Sequence, residues 1–326
     1  MTATGVGSWP GTDPREAAAV VVGELELPHL VELPARGVGT DMIGRASALL
    51  VDLQFDTTTR GYRLAPRPGA AAKRAHSLLR EDLDALEEAW EKAGLAGRKV
   101  KLQSAGPITL AAQVELTGGH RLLTDDGAFR DLTQSLADGL ATHAAEVARR
   151  LRADVLIQLD EPSLPAALAG SLRGVSGLDA VRALPEPEAL HALDTVIGSA
   201  DAVVHVCAAA PPLPLLARST AKSVGFDLSQ LGTADLDGVG ELVDAGKQLV
   251  LGLVPTTKPE PVPGWRDIAA PAVKLVDRLG FPRALLAEQI VAPRCGLAGA
   301  SDRWARTALK LAAETAQALS EEPESL

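Results

Sequence analysis

The chain has 326 residues, 46% of them hydrophobic, which is ample for a large buried core and long for one ordinary domain. Aromatics make up only 3%, and 32 Lys and Arg face 42 Asp and Glu for a formal charge of −10. That balance argues against nucleic-acid and anionic-membrane partners and leaves no stacking platform for bases. No apolar stretch of about 18 residues appears, and the opening residues lack a basic segment followed by an apolar run. Neither a membrane span nor a signal peptide is expected, and the expected compartment is the cytoplasm.

In chain order, strands are expected over residues 3–8, 29–33, 101–104, 154–159, 202–207, 223–228, 248–253 and 288–292. Val155-Leu156-Ile157 and Leu249-Val250-Leu251 are continuous apolar runs, suited to strands buried on both faces. Long amphipathic patterns lie between the strands. Leu79, Leu83, Leu86, Trp90 and Ala93 recur at helical spacing, and residues 129–151 and 301–319 carry further helices, the last with Ser301 as N-cap. Residues 40–71 are the least regular stretch, and 255–263 form a Pro-rich loop. Eight alternating βα units imply an α/β fold, a single (β/α)8 TIM barrel over residues 1–319, with an open doubly wound sheet as the alternative. Residues 320–326 are acidic and expected to fray as a disordered tail.

In such a barrel, functional residues gather where strands end and loops begin. His205-Val206-Cys207 closes the fifth expected strand, and period-two alternation puts His205 and Cys207 on one face, about 7 Å apart along it. Asp227 closes the sixth strand, and Cys295 follows the eighth. Imidazole and thiolate are favoured zinc ligands, so a metal site of His205, Cys207, Asp227 and Cys295 is expected. The rival reading is a core histidine beside unrelated buried thiols; a structural disulfide is not expected in the cytosol. Asp160-Glu161-Pro162 ends the fourth strand, where two acids after an apolar run demand a cation or donors. Gly5-Val6-Gly7-Ser8 lets backbone approach a small anion, whereas it lacks the third glycine of a dinucleotide fingerprint. Glu32, ending the second strand, is suited to an ammonium group.

Val6-Gly7-Ser8-Trp9-Pro10, Gly106-Pro107-Ile108-Thr109, Gln158-Leu159-Asp160-Glu161-Pro162, His205-Val206-Cys207 and Cys295-Gly296-Leu297 together resemble the catalytic domain of cobalamin-independent methionine synthase. The motifs span residues 6–297, and the folate-binding half of the long enzymes has no counterpart in the sequence. The wider superfamily includes uroporphyrinogen decarboxylase and coenzyme M methyltransferases. The resemblance implies zinc (Zn2+) on His205, Cys207 and Cys295, with Asp227 standing where the family has Glu. It also implies homocysteine held by Gly7, Ser8, Glu32 and Asp160, with Asp160 and Glu161 taken as the catalytic acids. Two departures stand out. The loop 253–258 carries no His, and Pro165-Ala166 replaces a Glu beyond the DEP motif. A methylcorrinoid, free or on a corrinoid protein, therefore stands beside methylfolate as methyl donor. The alternatives are a coenzyme M-type or other corrinoid-linked thiol methyltransferase and a non-catalytic zinc- or thiol-binding barrel; a tetrapyrrole decarboxylase leaves both cysteines unexplained.

Overall fold

The computed structural model describes residues 2–174, 181–321 and 323. The chain opens with β1 (Thr2–Ala3) and α1 (Pro14–Glu24), whose cap Asp13 accepts from the amides of Arg15 and Glu16. Asp41 caps α2 (Met42–Leu49) in the same way. A hairpin follows, β2 (Gln54–Thr58) and β3 (Gly61–Ala65), then the long α3 (Ala70–Ala93). Next come β4 (Lys99–Ala105), α4 (Pro107–Gln113), β5 (Val114–Glu115) and α5 (Asp126–Leu151). The second half holds β6 (Asp154–Asp160), α6 (Leu164–Leu168), α7 (Glu186–Ile197), β7 (Ala202–Val206) and α8 (Leu213–Arg218). It ends with β8 (Ser223–Asp227), α9 (Leu236–Asp244), β9 (Gln248–Val254), α10 (Trp265–Leu279), β10 (Ile290–Pro293) and α11 (Asp302–Glu321).

Seven parallel strands form one curled sheet in the order β1-β10-β9-β8-β7-β6-β4. This is a TIM-barrel-like fold in which the strand ladder does not close. The expected second strand, residues 29–33, instead crosses the gap between β1 and β4 as an extended segment. It makes only two isolated bridges, His29 to Lys101 and Ser8 to Glu32. Backbone bonds still tie it to both sides, Leu30 N to Lys101 O at 3.0 Å and Trp9 N to Glu32 O at 2.8 Å. Pro28 and Pro34 bracket the segment: neither has an N–H to donate, although Pro28 O still accepts from Lys101 N at 2.8 Å, and Pro34 opens a short 3-10 turn.

The second departure from expectation is a small outer sheet, β2-β3-β5, within and beyond the stretch that read as irregular. Tyr62 anchors it: its hydroxyl accepts from Gly39 N at 2.8 Å and donates to Asp41, while its ring meets Phe55 edge-on. α11 runs to Glu321, so the expected tail is helical at its start; residues 322 and 324–326 lie outside the described ones. Among the described residues no helix is long and apolar enough to cross a membrane.

Strand register decides what faces inward. Paired residues in parallel strands share a face, so Lys101, Leu156, Gln158, Asp160, Val203, His205, Gly225, Asp227, Val250 and Ile290 all lie on one side of the sheet. Leu27, Leu156, Val203, Val250, Ile290 and Ala292 form a separate apolar cluster, the floor of the barrel. The polar members of the same face stand above it, toward the carboxyl ends of the strands. The opposite face packs on the helices as the main core.

Candidate active site

The strand ends after β7 and β10 bring both cysteines of the chain together. Cys207 Sγ lies 2.8 Å from Cys295 Sγ, both thiols free and partly buried. The hydrogen bond that the two thiols share pulls Cys295 below the ordinary thiol value and pushes Cys207 up, with burial adding to the rise at Cys207. His205 is buried, and its Nδ1 meets Asp160 Oδ1 at 2.7 Å. With Nδ1 engaged by that carboxylate, Nε2 is the ring nitrogen left for a further partner. Gly225 faces the imidazole from β8; a Cβ there would stand 3.1 Å from His205 Cδ2.

The loop after β1 forms the opposite wall. Ser8 O accepts from Leu297 N at 2.9 Å, which ties this loop to the one carrying Cys295. Gly7 lies over Gln103 so closely that a Cβ would meet its side chain at 2.7 Å. Glu32 is buried, with Arg45 Nε at 3.9 Å, and burial raises its carboxyl to about 7 although Arg45 and Lys101 oppose the rise. Asp160 pushes in the same direction as burial, so the two carboxyls share one electrostatic environment. Behind Glu32, Asp82 is wholly buried and binds both Arg45 and Arg36, fixing the 32–45 segment to α3.

One expected residue is placed otherwise than its motif suggested. Glu161 follows Asp160 directly, so it points to the helix side of β6. Its Oε1 accepts from Ile108 N at 2.9 Å and its Oε2 from Thr109 N at 2.7 Å, the first turn of α4. Burial raises its carboxyl to about 7, and the amide bonds resist that rise. Asp227 does stand at the rim, but Oδ1 accepts from Ser229 N at 2.9 Å and Oγ at 2.7 Å, with Arg294 Nε 3.9 Å away.

The family described as "Cobalamin-independent synthase, Catalytic domain" matches residues 1–318. The chain belongs to that family. It is a methyltransferase of the methionine synthase-like kind. A B12-independent methionine synthase from Shewanella sp. W3-18-1, solved with selenomethionine, superposes with a TM-score of 0.62 at 12% identity, covering 100% of this chain and 99% of the other. A methyltransferase from Methanosarcina mazei superposes with a TM-score of 0.56 at 17% identity, over 98% of this chain and 92% of its own. At those identities the likeness establishes the fold. No curated protein matches the sequence.

The synthase family's zinc is tested here by the donor set. Two free thiols in contact, beside an imidazole whose Nδ1 is fixed by a carboxylate, are the soft ligands zinc takes, and the carboxylate is the partner that orients a ligating histidine. Among the described residues no three His, Cys, Asp or Glu side chains are gathered as a ready metal cluster; Cys207 and Cys295 bond each other and His205 bonds Asp160. The donor chemistry fits. Sequence reasoning missed Lys101, whose ammonium is buried in the barrel, held to about 8 by burial against the pull of Asp160 and Glu32. The signal was there: Val100-Lys101-Leu102-Gln103 alternates, with its polar residues on the inward face.

Proposed function

We propose that this synthase-family chain transfers a methyl group to the thiol of homocysteine, giving methionine, with zinc held by His205, Cys207 and Cys295. The juxtaposed thiols beside an oriented imidazole carry the reading. Zinc supplies Lewis acidity that lets a substrate thiol lose its proton at neutral pH. Asp227 has Oδ2 left to offer as a fourth ligand, since Oδ1 is engaged by Ser229.

The protein groups do the rest. Asp160 takes both its side-chain bonds on Oδ1, from His205 and from Gln158 Nε2, which leaves Oδ2 for a substrate ammonium. Glu32 offers the second carboxylate to that ammonium, and the Gly7-Ser8 backbone with the Ser8 hydroxyl receives the carboxylate. Glu161 acts at one remove, by holding the α4 turn that follows Gly106. Two inward carboxylates favour an ammonium-bearing thiol over a sulfonate such as coenzyme M, which would need cations instead. For the donor, the loop after β9 offers no histidine and residues 165–166 no carboxylate, so we favour a methylcorrinoid over methylfolate. Free thiols suit a reducing cytoplasm.

Purified protein should contain about one zinc per chain, and Cys207→Ser should lose most of it. Incubation with homocysteine and either methylcobalamin or methyltetrahydrofolate should yield methionine from the corrinoid. Product from folate alone would reverse the choice of donor, and full zinc content in Cys207→Ser would remove the metal assignment.

A further inference from the structure

We propose that Lys101 is a positioning residue that locks the substrate loop and the Asp160–His205 pair into one arrangement. This deepens the proposed function and rests on its assignment of the Gly7-Ser8 loop and the His205 rim. Lys101 is 1% exposed, and its Nζ donates to Val6 O at 2.9 Å and to Gln158 Oε1 at 2.7 Å. Gln158 Nε2 in turn donates to Val6 O at 2.9 Å and to Asp160 Oδ1 at 2.8 Å, and that oxygen meets His205 Nδ1 at 2.7 Å. An unbroken chain thus runs from the loop that precedes Ser8 to the imidazole at the rim.

The ammonium and the two acceptors agree on the direction of this chain. A lysine can only donate and a carboxylate can only accept, so the amide between them has one orientation, carbonyl to Lys101 and NH2 to Asp160. Without the ammonium the buried Gln158 Oε1 loses its donor and Val6 O keeps only the Gln158 amide, so the loop is held to the Asp160–His205 pair by one hydrogen bond fewer. The charged groups facing Lys101 are Glu32 and Asp160, and His29 is its bridge partner on the neighbouring segment. Glu32 itself faces Arg45, Asp160 and Lys101, and the last helps to hold it ionised. A methionine would fill the same volume without supplying either effect, which separates positioning from packing.

The test compares wild type with Lys101→Met and Gln158→Met. Hydrogen exchange of the segment 5–9 should become roughly tenfold faster in both variants, while α5 keeps its wild-type protection. KM for homocysteine should rise roughly tenfold, with KM for the methyl donor unchanged. The acid limb of homocysteine binding should move to higher pH in Lys101→Met alone, because only that change withdraws positive charge from Glu32. Unchanged exchange at 5–9 in a folded Lys101→Met protein overturns the proposal, as does exchange that rises equally in α5. If Lys101→Met does not fold, Gln158→Met decides by the same exchange readout. If wild type makes no methionine, the functional reading falls, and loop exchange still decides the role of Lys101.

Discussion

Replacing Glu32 with glutamine should stabilise the folded protein above neutral pH and weaken homocysteine binding at the same time. Burial lifts this carboxyl from 4.5 to about 7, so between those values the folded chain holds a proton that the unfolded chain has released. Stability therefore falls as pH rises through that window, and the full penalty is present above about 7. The gap corresponds to about 3 kcal/mol. Glutamine cannot ionise and escapes that cost, and Arg45 keeps its bond to Asp82. Urea unfolding should show Glu32→Gln ahead of wild type by less than about 1 kcal/mol at pH 5 and by about 3 kcal/mol at pH 8. Steady-state assays should show KM for homocysteine raised, since one negative partner of the ammonium is gone. A stability difference that does not grow with pH refutes the electrostatic reasoning; an unchanged KM refutes the assignment of Glu32 to the substrate.

Glu161→Ala should behave in the opposite way, costing about 2–5 kcal/mol in urea unfolding, because the buried amides of Ile108 and Thr109 both lose their acceptor. Wild-type stability in that variant would show that α4 does not depend on the carboxylate. Gly225→Ala puts a methyl 3.1 Å from His205 Cδ2 and 3.3 Å from Val250 Cβ, so zinc content and methyl transfer should fall roughly tenfold with the circular dichroism spectrum intact. Retained zinc with retained rate would mean the imidazole is free to shift.

Much of the barrel was legible because the strands buried on both faces are nearly unbroken apolar runs. β6, β7 and β9 fall within a residue or so of the expected 154–159, 202–207 and 248–253. The second strand was not, because its extended pattern is real while its ladder shrinks to two isolated bridges between two prolines, a loss of partners that an apolar pattern does not carry. The hairpin β2–β3 was missed because Phe55-Asp56-Thr57-Thr58 is a half-exposed strand with no apolar run. At the site, the approach of Cys207 to Cys295 follows from barrel topology and could be anticipated. The separation of Asp160 from Glu161 also follows, from simple alternation, yet reading the two as one acidic motif concealed it. The Lys101–Gln158–Asp160 chain was beyond reach, since the bond that starts it, Lys101 Nζ to Gln158 Oε1, joins residues 57 apart on different strands.

A barrel with this interior is hard to explain by stability alone. Lys101, Glu32, Asp160 and His205 are each nearly removed from water, and buried ion groups seldom repay their desolvation even when paired. An apolar inward face would extend the floor already formed by Leu156, Val203, Val250 and Ile290 and would cost less. The polar layer begins where that floor ends and reaches the rim where both thiols meet. Its two inward carboxyls, Glu32 and Asp160, face the ammonium of Lys101, and Arg45, itself bound to Asp82, stands 3.9 Å from Glu32. On the proposed function, Asp160 Oδ2 is the acceptor left over for the ammonium of an amino-acid substrate, so a neutral thiol lacking an amino group should bind poorly in the same barrel.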